Sequence, residues 1–225
     1  MKFIIDDANM DKIREIYRYY PVDGVTTNPS ILAKSGRNPY EVLKEIREFI
    51  GKEADLHVQV VSKKAEDMVE EGHKILGELG ANTFIKIPTT PEGLRAMKIL
   101  SEEGYGVTAT AIYTPMQAFL AGKAGADYAA PYVNRIDNLG ADGIETAKVI
   151  HDIFQKNGLK TKVLAASFKN SQQVLELCKY GIGAATISAD VIEGLINNAC
   201  VTSAIDAFVS DFEKLCGEGK TMLNC

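Results

Sequence analysis

The sequence lacks any apolar run that approaches the roughly 20 residues needed to span a bilayer. At the N-terminus, Asp6 and Asp7 interrupt the apolar stretch too early for a secretory signal peptide. We therefore expect a cytoplasmic protein with no membrane partner.

The sequence also lacks a CxxC pair, because its four cysteines lie far apart. Reduced thiols are therefore expected rather than disulfides. The three histidines, His57, His73 and His151, are too scattered to suggest a metal cluster. The net charge of -5 gives no general electrostatic reason to bind nucleic acid. An anionic ligand would need a local basic site.

The sequence also lacks a Gly-rich turn directly after an early strand. An open dinucleotide-binding sheet would require such a turn. The nearest match, Gly181-Ile182-Gly183, precedes a predicted strand and is interpreted as a turn. No internal repeat, low-complexity segment or linker is visible. The sequence therefore predicts one domain over residues 1–225, with a C-terminal helical arm at about 201–225.

Short β-branched or apolar runs alternate with longer stretches in which apolar residues recur every three or four positions. The runs predict eight strands, at residues 3–6, 24–27, 55–60, 83–87, 106–112, 128–133, 162–167 and 184–188. The longer stretches predict helices, among them 64–79, 91–103, 143–157 and 171–180, with 191–198 and 201–215 after the last strand. This alternation favours a closed (β/α)8 TIM barrel with an extra C-terminal helix over an open doubly wound sheet.

Polar residues stand late in the predicted strands, where the reactive face of such a barrel lies. Because side chains alternate in direction along a strand, these residues are expected to form a ring at one cavity mouth. The ring comprises Asp6, Thr26, Asn28, Gln59, Lys86, Thr110, Tyr132 and Ser167, with Arg135 just beyond.

Lys86 stands in an otherwise apolar strand. Burial lowers the pKa of a lysine, and a neutral amine can attack a ketone to form an iminium. Asp6 could then hold the carbinolamine hydroxyl or move a proton during C–C cleavage. The alternative is an ion pair between Lys86 and Asp6 that performs no chemistry.

The other ring members also allow two interpretations. Asn28 could orient a substrate hydroxyl or serve only as a turn residue before Pro29. Gln59, Thr110 and Tyr132 could position a water that shuttles protons, or could each be a satisfied polar residue of the core.

Arg135 and Ser167 follow strands six and seven and could clamp a phosphate. A salt bridge with Asp137 is an equally open interpretation of Arg135. His57 lies two residues before Gln59 and is predicted to be a buried residue of a deeper layer.

Four segments resemble the transaldolase family. They are Gly-Val-Thr-Thr-Asn-Pro-Ser at 24–30, Lys-Ile-Pro at 86–88, Ala-Pro-Tyr-Val-Asn-Arg-Ile-Asp at 130–137 and Val-Leu-Ala-Ala-Ser-Phe-Lys at 163–169. The similarity covers nearly the whole chain, and it is strongest to the small fructose-6-phosphate aldolase-like branch. The resemblance implies a class I mechanism without metal or cofactor, in which Lys86 forms the Schiff base and Asp6 assists as acid or base.

The same resemblance assigns binding roles. It implies that Thr26 and Asn28 contact hydroxyls of a dihydroxyacetone unit, and that Arg135 and Ser167 bind the phosphate of the aldehyde half. Ser188-Ala189-Asp190 departs from the family's more apolar stretch after strand eight. The sugar is therefore left open, as is a sulfonate in place of the phosphate.

Two positions divide the activities of the family. Transaldolases resemble one another in a glutamate late in strand three and commonly a phenylalanine late in strand six, whereas this chain has Gln59 and Tyr132. A tyrosine hydroxyl could protonate the bound enamine and release dihydroxyacetone. The resemblance therefore favours fructose-6-phosphate aldolase, with transaldolase and a non-catalytic sugar-phosphate-binding barrel as alternatives.

Two further expectations come from the family. Asp7 replaces a usual Thr or Ser and is expected to cap a helix. Small members form rings of five that pair, so residues 201–215 would be an arm reaching a neighbour in a pentamer or decamer.

Overall fold

The structure is a computed structural model that describes residues 1–225. Eight parallel strands close into a barrel in sequence order, each paired with the next and β8 paired with β1. The strands are β1 (Lys2–Asp6), β2 (Gly24–Thr26), β3 (Asp55–Gln59), β4 (Thr83–Pro88), β5 (Val107–Ile112), β6 (Tyr128–Pro131), β7 (Lys162–Ala165) and β8 (Ala184–Ile187). The predicted (β/α)8 barrel is confirmed.

Eleven helices connect or follow the strands. They are α1 (Met10–Tyr19), α2 (Pro29–Lys34), α3 (Pro39–Ile50), α4 (Ala65–Leu79), α5 (Pro91–Glu102), α6 (Pro115–Lys123), α7 (Val133–Asp137), α8 (Gly143–Lys156), α9 (Ser171–Tyr180), α10 (Ala189–Gly194) and α11 (Ala199–Cys216). The extra C-terminal helix is therefore present.

Side-chain caps start many of these helices immediately beyond a strand. Asn28 accepts from the Ile31 N–H at 3.1 Å, and Asn170 accepts from the Gln173 N–H at 3.0 Å. Proline at the first helical position of α2 presets the helical φ and lacks the N–H that would otherwise be unpaired. Short connections of this kind keep the residues after each strand at the rim of the barrel.

Several strands end earlier than the sequence predicted. The sixth strand was predicted to run to Val133, but β6 ends at Pro131 and Val133 is the first residue of α7. Proline cannot donate to a ladder, and Tyr132 makes only an isolated bridge with Ala166. The helix predicted at 191–198 lies instead at Ala189–Gly194. The Gly181 turn is confirmed, since Gly181 caps α9 with φ 85°.

The interior of the barrel is filled and is not an open channel. Six buried side chains from β1, β6, β7 and β8, or directly after β7, form one cluster. It consists of Ile4, Tyr128, Ala130, Leu164, Ala166 and Ala184, with Phe84 and Tyr132 packed against it. At the amino end, Lys2 Nζ lies 2.5 Å from Asp55 Oδ2. This ion pair lies at the amino ends of the strands, opposite the carboxyl ends at which barrels of this type carry their active sites.

The chain separates into two compact units, Met1–Ile192 and Glu193–Cys225. The first contains the barrel and the second contains α11. The helix α11 exposes apolar side chains, including Val201, Ile205 and Phe208. None of the eleven helices has the combination of length and apolar character that crossing a membrane requires.

Candidate active site

Lys86 lies at the centre of the candidate site. It is on β4, with its side chain inside the barrel mouth, and it is only 5% exposed. Its Nζ donates to the carbonyl oxygen of Thr27 at 2.8 Å. Burial lowers the pKa of Lys86, and the charge of Asp6 opposes that shift only in part. No carboxylate lies within 4.0 Å of Nζ, so the ion pair considered from the sequence does not form.

The hydrogen bonding of Lys86 also favours the neutral amine. A charged ammonium carries three N–H donors, and the protein supplies one acceptor, the Thr27 carbonyl. A buried charge with unmet donors is destabilised, so this environment favours the neutral form of Lys86. The neutral amine has a lone pair, which is the property that nucleophilic attack on a carbonyl requires.

Asp6, the last residue of β1, was predicted from the sequence to act as the acid–base partner of Lys86. Burial raises the pKa of Asp6, while the Lys86 charge and a hydrogen bond from Thr26 oppose the shift. That hydrogen bond runs from Thr26 Oγ1 to Asp6 Oδ1 at 2.7 Å. Burial thus shifts the pKa values of Asp6 and Lys86 toward each other, which suits the exchange of a proton during a reaction.

The sequence did not single out Thr186, which the structure places beneath Asp6. Thr186 lies on β8, and its Oγ1 is 2.5 Å from Thr26 Oγ1. Threonine in an apolar strand is ordinary, because β-branched residues favour strands. The only available signal was its alternation with Ala184, which assigns both side chains to the barrel interior.

Thr110 and Tyr132 form a hydrogen-bonded pair near the carboxyl ends of β5 and β6. The Thr110 Oγ1 and Tyr132 hydroxyl oxygens are 2.9 Å apart. The register of β5 shifts between Ala109 and Ile112, a bulge next to Thr110 of the kind that re-aims side chains near active sites. Gln59, the half-buried last residue of β3, pairs in register with Lys86.

Arg135 and Ser167 come from neighbouring segments of the rim. The backbone N–H of Asn134 donates to the Ser167 carbonyl at 3.0 Å, which joins the start of α7 to the end of β7. Asp137 instead accepts from the Gly143 N–H and from Gln173 Nε2, both at 2.7 Å. The salt bridge considered from the sequence is therefore not formed, and the Arg135 guanidinium lies over the Tyr132 ring.

Three other predictions have clear outcomes. Asn28 is the N-cap of α2, so the turn role is present, although the cap uses only its amide oxygen. His57 is fully buried, bonded through Nδ1 to Thr108 Oγ1 at 2.8 Å, which confirms the deeper-layer prediction. The prediction that Asp7 caps a helix was wrong, because the N-cap of α1 is Asn9.

Cavities open around this ring. One of about 710 Å³ lies beside Asp6 and Asn9 and reaches Ser188 and Asp190, the segment that departs from the family pattern. Another of about 400 Å³ is lined by Arg135 and three neighbours. No three His, Cys, Asp or Glu side chains are grouped so that they could hold a metal ion.

Comparison with known proteins gives a consistent result. The family model described as Transaldolase/Fructose-6-phosphate aldolase matches residues 3–222. A probable fructose-6-phosphate aldolase of Streptococcus pneumoniae is 42% identical over 213 residues, covering 94% of this chain and 96% of the relative. A probable transaldolase of Hydrogenobaculum sp. is 41% identical over 215 residues, covering 96% and 98%. The chain therefore belongs to the transaldolase/fructose-6-phosphate aldolase family of Schiff-base aldolase-type enzymes.

Proposed function

We propose that this enzyme is a class I aldolase that cleaves fructose 6-phosphate to dihydroxyacetone and glyceraldehyde 3-phosphate, or condenses the two. The observation that carries the proposal is the buried Lys86 amine, bonded to one carbonyl and with a lowered pKa. Tyr132, hydrogen-bonded to Thr110, supports the aldolase over the transfer reaction, because its hydroxyl could supply a proton to the bound enamine.

The reaction begins at the ketose carbonyl carbon. The Lys86 amine attacks it, and the carbinolamine loses water when its hydroxyl receives a proton, which protonated Asp6 would deliver. The iminium that remains withdraws electrons. Asp6, now a carboxylate, then accepts the proton of the hydroxyl on the fourth carbon, either directly or through a water.

Cleavage follows from that deprotonation. The bond between the third and fourth carbons breaks, its electron pair forms the enamine, and the aldehyde leaves. A proton from the Tyr132 hydroxyl, held by Thr110 at 2.9 Å, or from a water between Tyr132 and Gln59, then reaches the third carbon. Hydrolysis of the new iminium frees dihydroxyacetone, restores the neutral Lys86 amine and releases one proton, which returns the donor, Tyr132 or the water, to its starting form.

Substrate contacts complete the assignment. Arg135 and Ser167 would bind the phosphate, with guanidinium donors that match its oxygens. The cap of α2 leaves the amide NH2 of Asn28 for a substrate hydroxyl. Thr26 donates its single proton to Asp6, so it could only accept from a substrate hydroxyl.

Borohydride reduction tests the covalent step. Incubation with dihydroxyacetone and borohydride should add one fixed mass, located at Lys86 by peptide mass spectrometry. Lys86→Met should show no adduct, while Lys98→Met, which removes a lysine with a 68% exposed side chain, should be labelled like the wild type. An adduct at another lysine, or none, would reject the proposal.

Transaldolase is the second candidate, since relatives carry both names. Product analysis with fructose 6-phosphate separates the two activities. Release of free dihydroxyacetone without an acceptor supports the aldolase. Product that forms only when an aldose acceptor is added supports the transferase.

We also propose that the enzyme is a single barrel domain that self-associates as a pentamer or decamer, with residues 201–225 as the arm. The support is the row of exposed apolar residues along α11, Val201, Ile205, Phe208 and Leu215, which recur at three-, four- and seven-residue spacing. Native mass spectrometry would give the subunit number. Phe208→Glu should lower it, and an unchanged number would count against this role of α11.

A further inference from the structure

A hydrogen bond between two threonines crosses the barrel directly beneath Asp6. Thr186 on β8 and Thr26 on β2 both flank β1, and their Oγ1 atoms are 2.5 Å apart. In register, Thr26 pairs with Asp6 and Thr186 pairs with Ile4, so the contact joins the level of the carboxylate to the next inward layer below it. Thr186 is 2% exposed, and its hydroxyl has no other hydrogen-bond partner in the protein.

The direction of this bond follows from counting protons. A threonine hydroxyl has one proton, and Thr26 donates its proton to Asp6 Oδ1 at 2.7 Å. The proton between the two hydroxyls must therefore come from Thr186. The opposite direction would remove the Thr26 donor from a buried carboxylate, which is energetically costly.

We propose that Thr186 is a positioning residue, whose hydroxyl holds and polarises Thr26 so that Thr26 donates to the ionised Asp6. Hydrogen bonds in a chain strengthen one another in a low-dielectric interior, so the bond from Thr186 makes Thr26 a stronger donor. When Asp6 takes up a proton on its other oxygen, the chain keeps its direction, because Oδ1 still accepts from Thr26 and Thr26 still accepts from Thr186. The carboxyl group is then held in the same position in both protonation states without movement of heavy atoms, as preorganised catalytic sites require.

This role rests on the proposed function, in which Asp6 gains and loses a proton during turnover. The pKa of Asp6 is raised by burial and is lowered by the charge of Lys86 and by the Thr26 hydrogen bond. Asp7 and Arg135 also act on it through their charges. A substitution at Thr186 leaves all of these charges in place and weakens only the hydrogen-bond contribution.

Thr186→Val tests the inference, because valine keeps the shape and removes the hydroxyl. The acid limb of the kcat pH profile should move up by about half a pH unit, since the carboxylate form of Asp6 is less stabilised. We expect kcat to fall by about three- to tenfold, with KM changed less than about twofold. Thr186→Ser, which retains the hydroxyl, should restore the wild-type profile.

Thr161→Val is the matched control for loss of a buried hydroxyl. Thr161 Oγ1 donates to the Ala126 carbonyl at 2.7 Å, close to the amino end of β7 and therefore away from Asp6. This variant should lose stability without moving the pH profile. If Thr161→Val shifts the acid limb as much as Thr186→Val does, the positioning role is overturned.

Borohydride trapping distinguishes failure of this inference from failure of the proposed function. Absence of a dihydroxyacetone adduct at Lys86 in the wild type would reject both. An adduct in both proteins, with superimposable pH profiles for wild type and Thr186→Val, would overturn only the role of Thr186. If the valine variant does not fold, Thr186→Cys replaces it, since a thiol is a weaker donor of similar size. Thr186→Cys should move the acid limb of the kcat pH profile upward by less than the half unit expected for valine. An unchanged acid limb in this variant would also overturn the positioning role of Thr186.

Discussion

The guanidinium carbon of Arg135 lies 4.5 Å from the centre of the Tyr132 ring. The hydroxyl of the same ring is 2.9 Å from Thr110 Oγ1, and Tyr113 packs edge-on against the ring at 5.6 Å. The residue proposed to bind phosphate therefore also holds the ring of the proposed proton donor. A planar guanidinium suits both tasks, because it stacks on aromatic faces and matches phosphate oxygens in pairs.

Replacement of Arg135 by lysine should separate phosphate recognition from the chemical step. Lysine keeps the charge but loses the paired donors and the planar stacking. We expect KM for glyceraldehyde 3-phosphate to rise by about 10- to 100-fold in the synthetic direction. With an unphosphorylated aldehyde, KM should change by less than about threefold, because no phosphate contact is lost.

Steady-state kinetics with the two aldehydes measures this difference. Arg95→Lys is the control, since Arg95 is an exposed arginine paired with Glu66. Equal losses for both aldehydes would show that Arg135 acts on Tyr132 or on the fold, and that the phosphate is bound elsewhere.

Gln59→Glu combined with Tyr132→Phe should favour transfer over cleavage. The phenylalanine removes the hydroxyl that Thr110 holds, so the enamine loses its proposed proton donor and persists until an aldehyde arrives. The ratio of transferred product to free dihydroxyacetone should rise by about tenfold, measured with fructose 6-phosphate and an aldose acceptor. Tyr113→Phe is the control, because it removes a neighbouring phenol hydroxyl. An unchanged ratio in the double variant would show that these positions do not select the outcome.

Much of the fold could be predicted because eight apolar runs alternate with amphipathic stretches. The errors fall at strand ends and in short helices. The helices α2 and α7 have six and five residues, too few to show a helical period. The last residue of a strand depends on which backbone N–H and C=O groups have hydrogen-bond partners on the adjacent strands. The end of β6 at Pro131 could therefore be located only in the structure.

The site was predictable where a residue type is unusual for its position, as with Lys86 in an apolar strand or Asp6 at the end of one. Thr186 was not, because threonine is common in strands and its partner Thr26 is 160 residues away along the chain. The sequence also could not decide whether Lys86 forms an ion pair with Asp6 or has an amine without a carboxylate partner. That choice depends on the position of the Thr27 carbonyl, which strand closure fixes.

Lys86→Met should make the protein more stable while abolishing activity. Burial lowers the pKa of Lys86 in the folded protein, whereas in the unfolded chain this lysine has its ordinary pKa of 10.5. The unfolded chain therefore binds the proton more tightly than the folded protein does. The contribution of Lys86 to native stability therefore rises with pH between its lowered folded pKa and the unfolded value of 10.5. The methionine variant has no amine to deprotonate on folding. We expect its free energy of unfolding to exceed that of the wild type by about 1–3 kcal/mol at pH 7, and the difference should decrease as pH rises toward 10.

Urea unfolding at fixed protein concentration, followed at pH 7 and pH 9.5, measures both effects. Lys98→Met provides the exposed comparison and should change stability little at either pH. A Lys86→Met variant that is less stable than the wild type at both pH values would mean that the amine is held as a stabilising cation. That result would contradict the neutral nucleophile.

His57 should make wild-type stability fall as the solution becomes mildly acidic. Burial lowers the pKa of His57 well below 6.5, and the charges of Lys2 and Arg47 lower it further. Its ring stacks on Phe84 with centroids 4.7 Å apart, and its Nε2 has no partner. Below pH 6.5 the unfolded chain therefore binds a proton at His57 that the folded protein does not bind. The free energy of unfolding decreases as pH falls through this range.

His57→Phe should remove this dependence, because phenylalanine keeps a ring against Phe84 and does not titrate. The difference in unfolding free energy between variant and wild type should move in favour of the variant as pH falls from 7 to 5. The slope should be at most about 1.4 kcal/mol per pH unit. The same substitution at His151, a partly exposed helical histidine, serves as the control. A constant difference across this range would show that His57 is protonated in the folded barrel. A cation would then lie in the layer directly below Lys86, where it would help to keep that amine neutral.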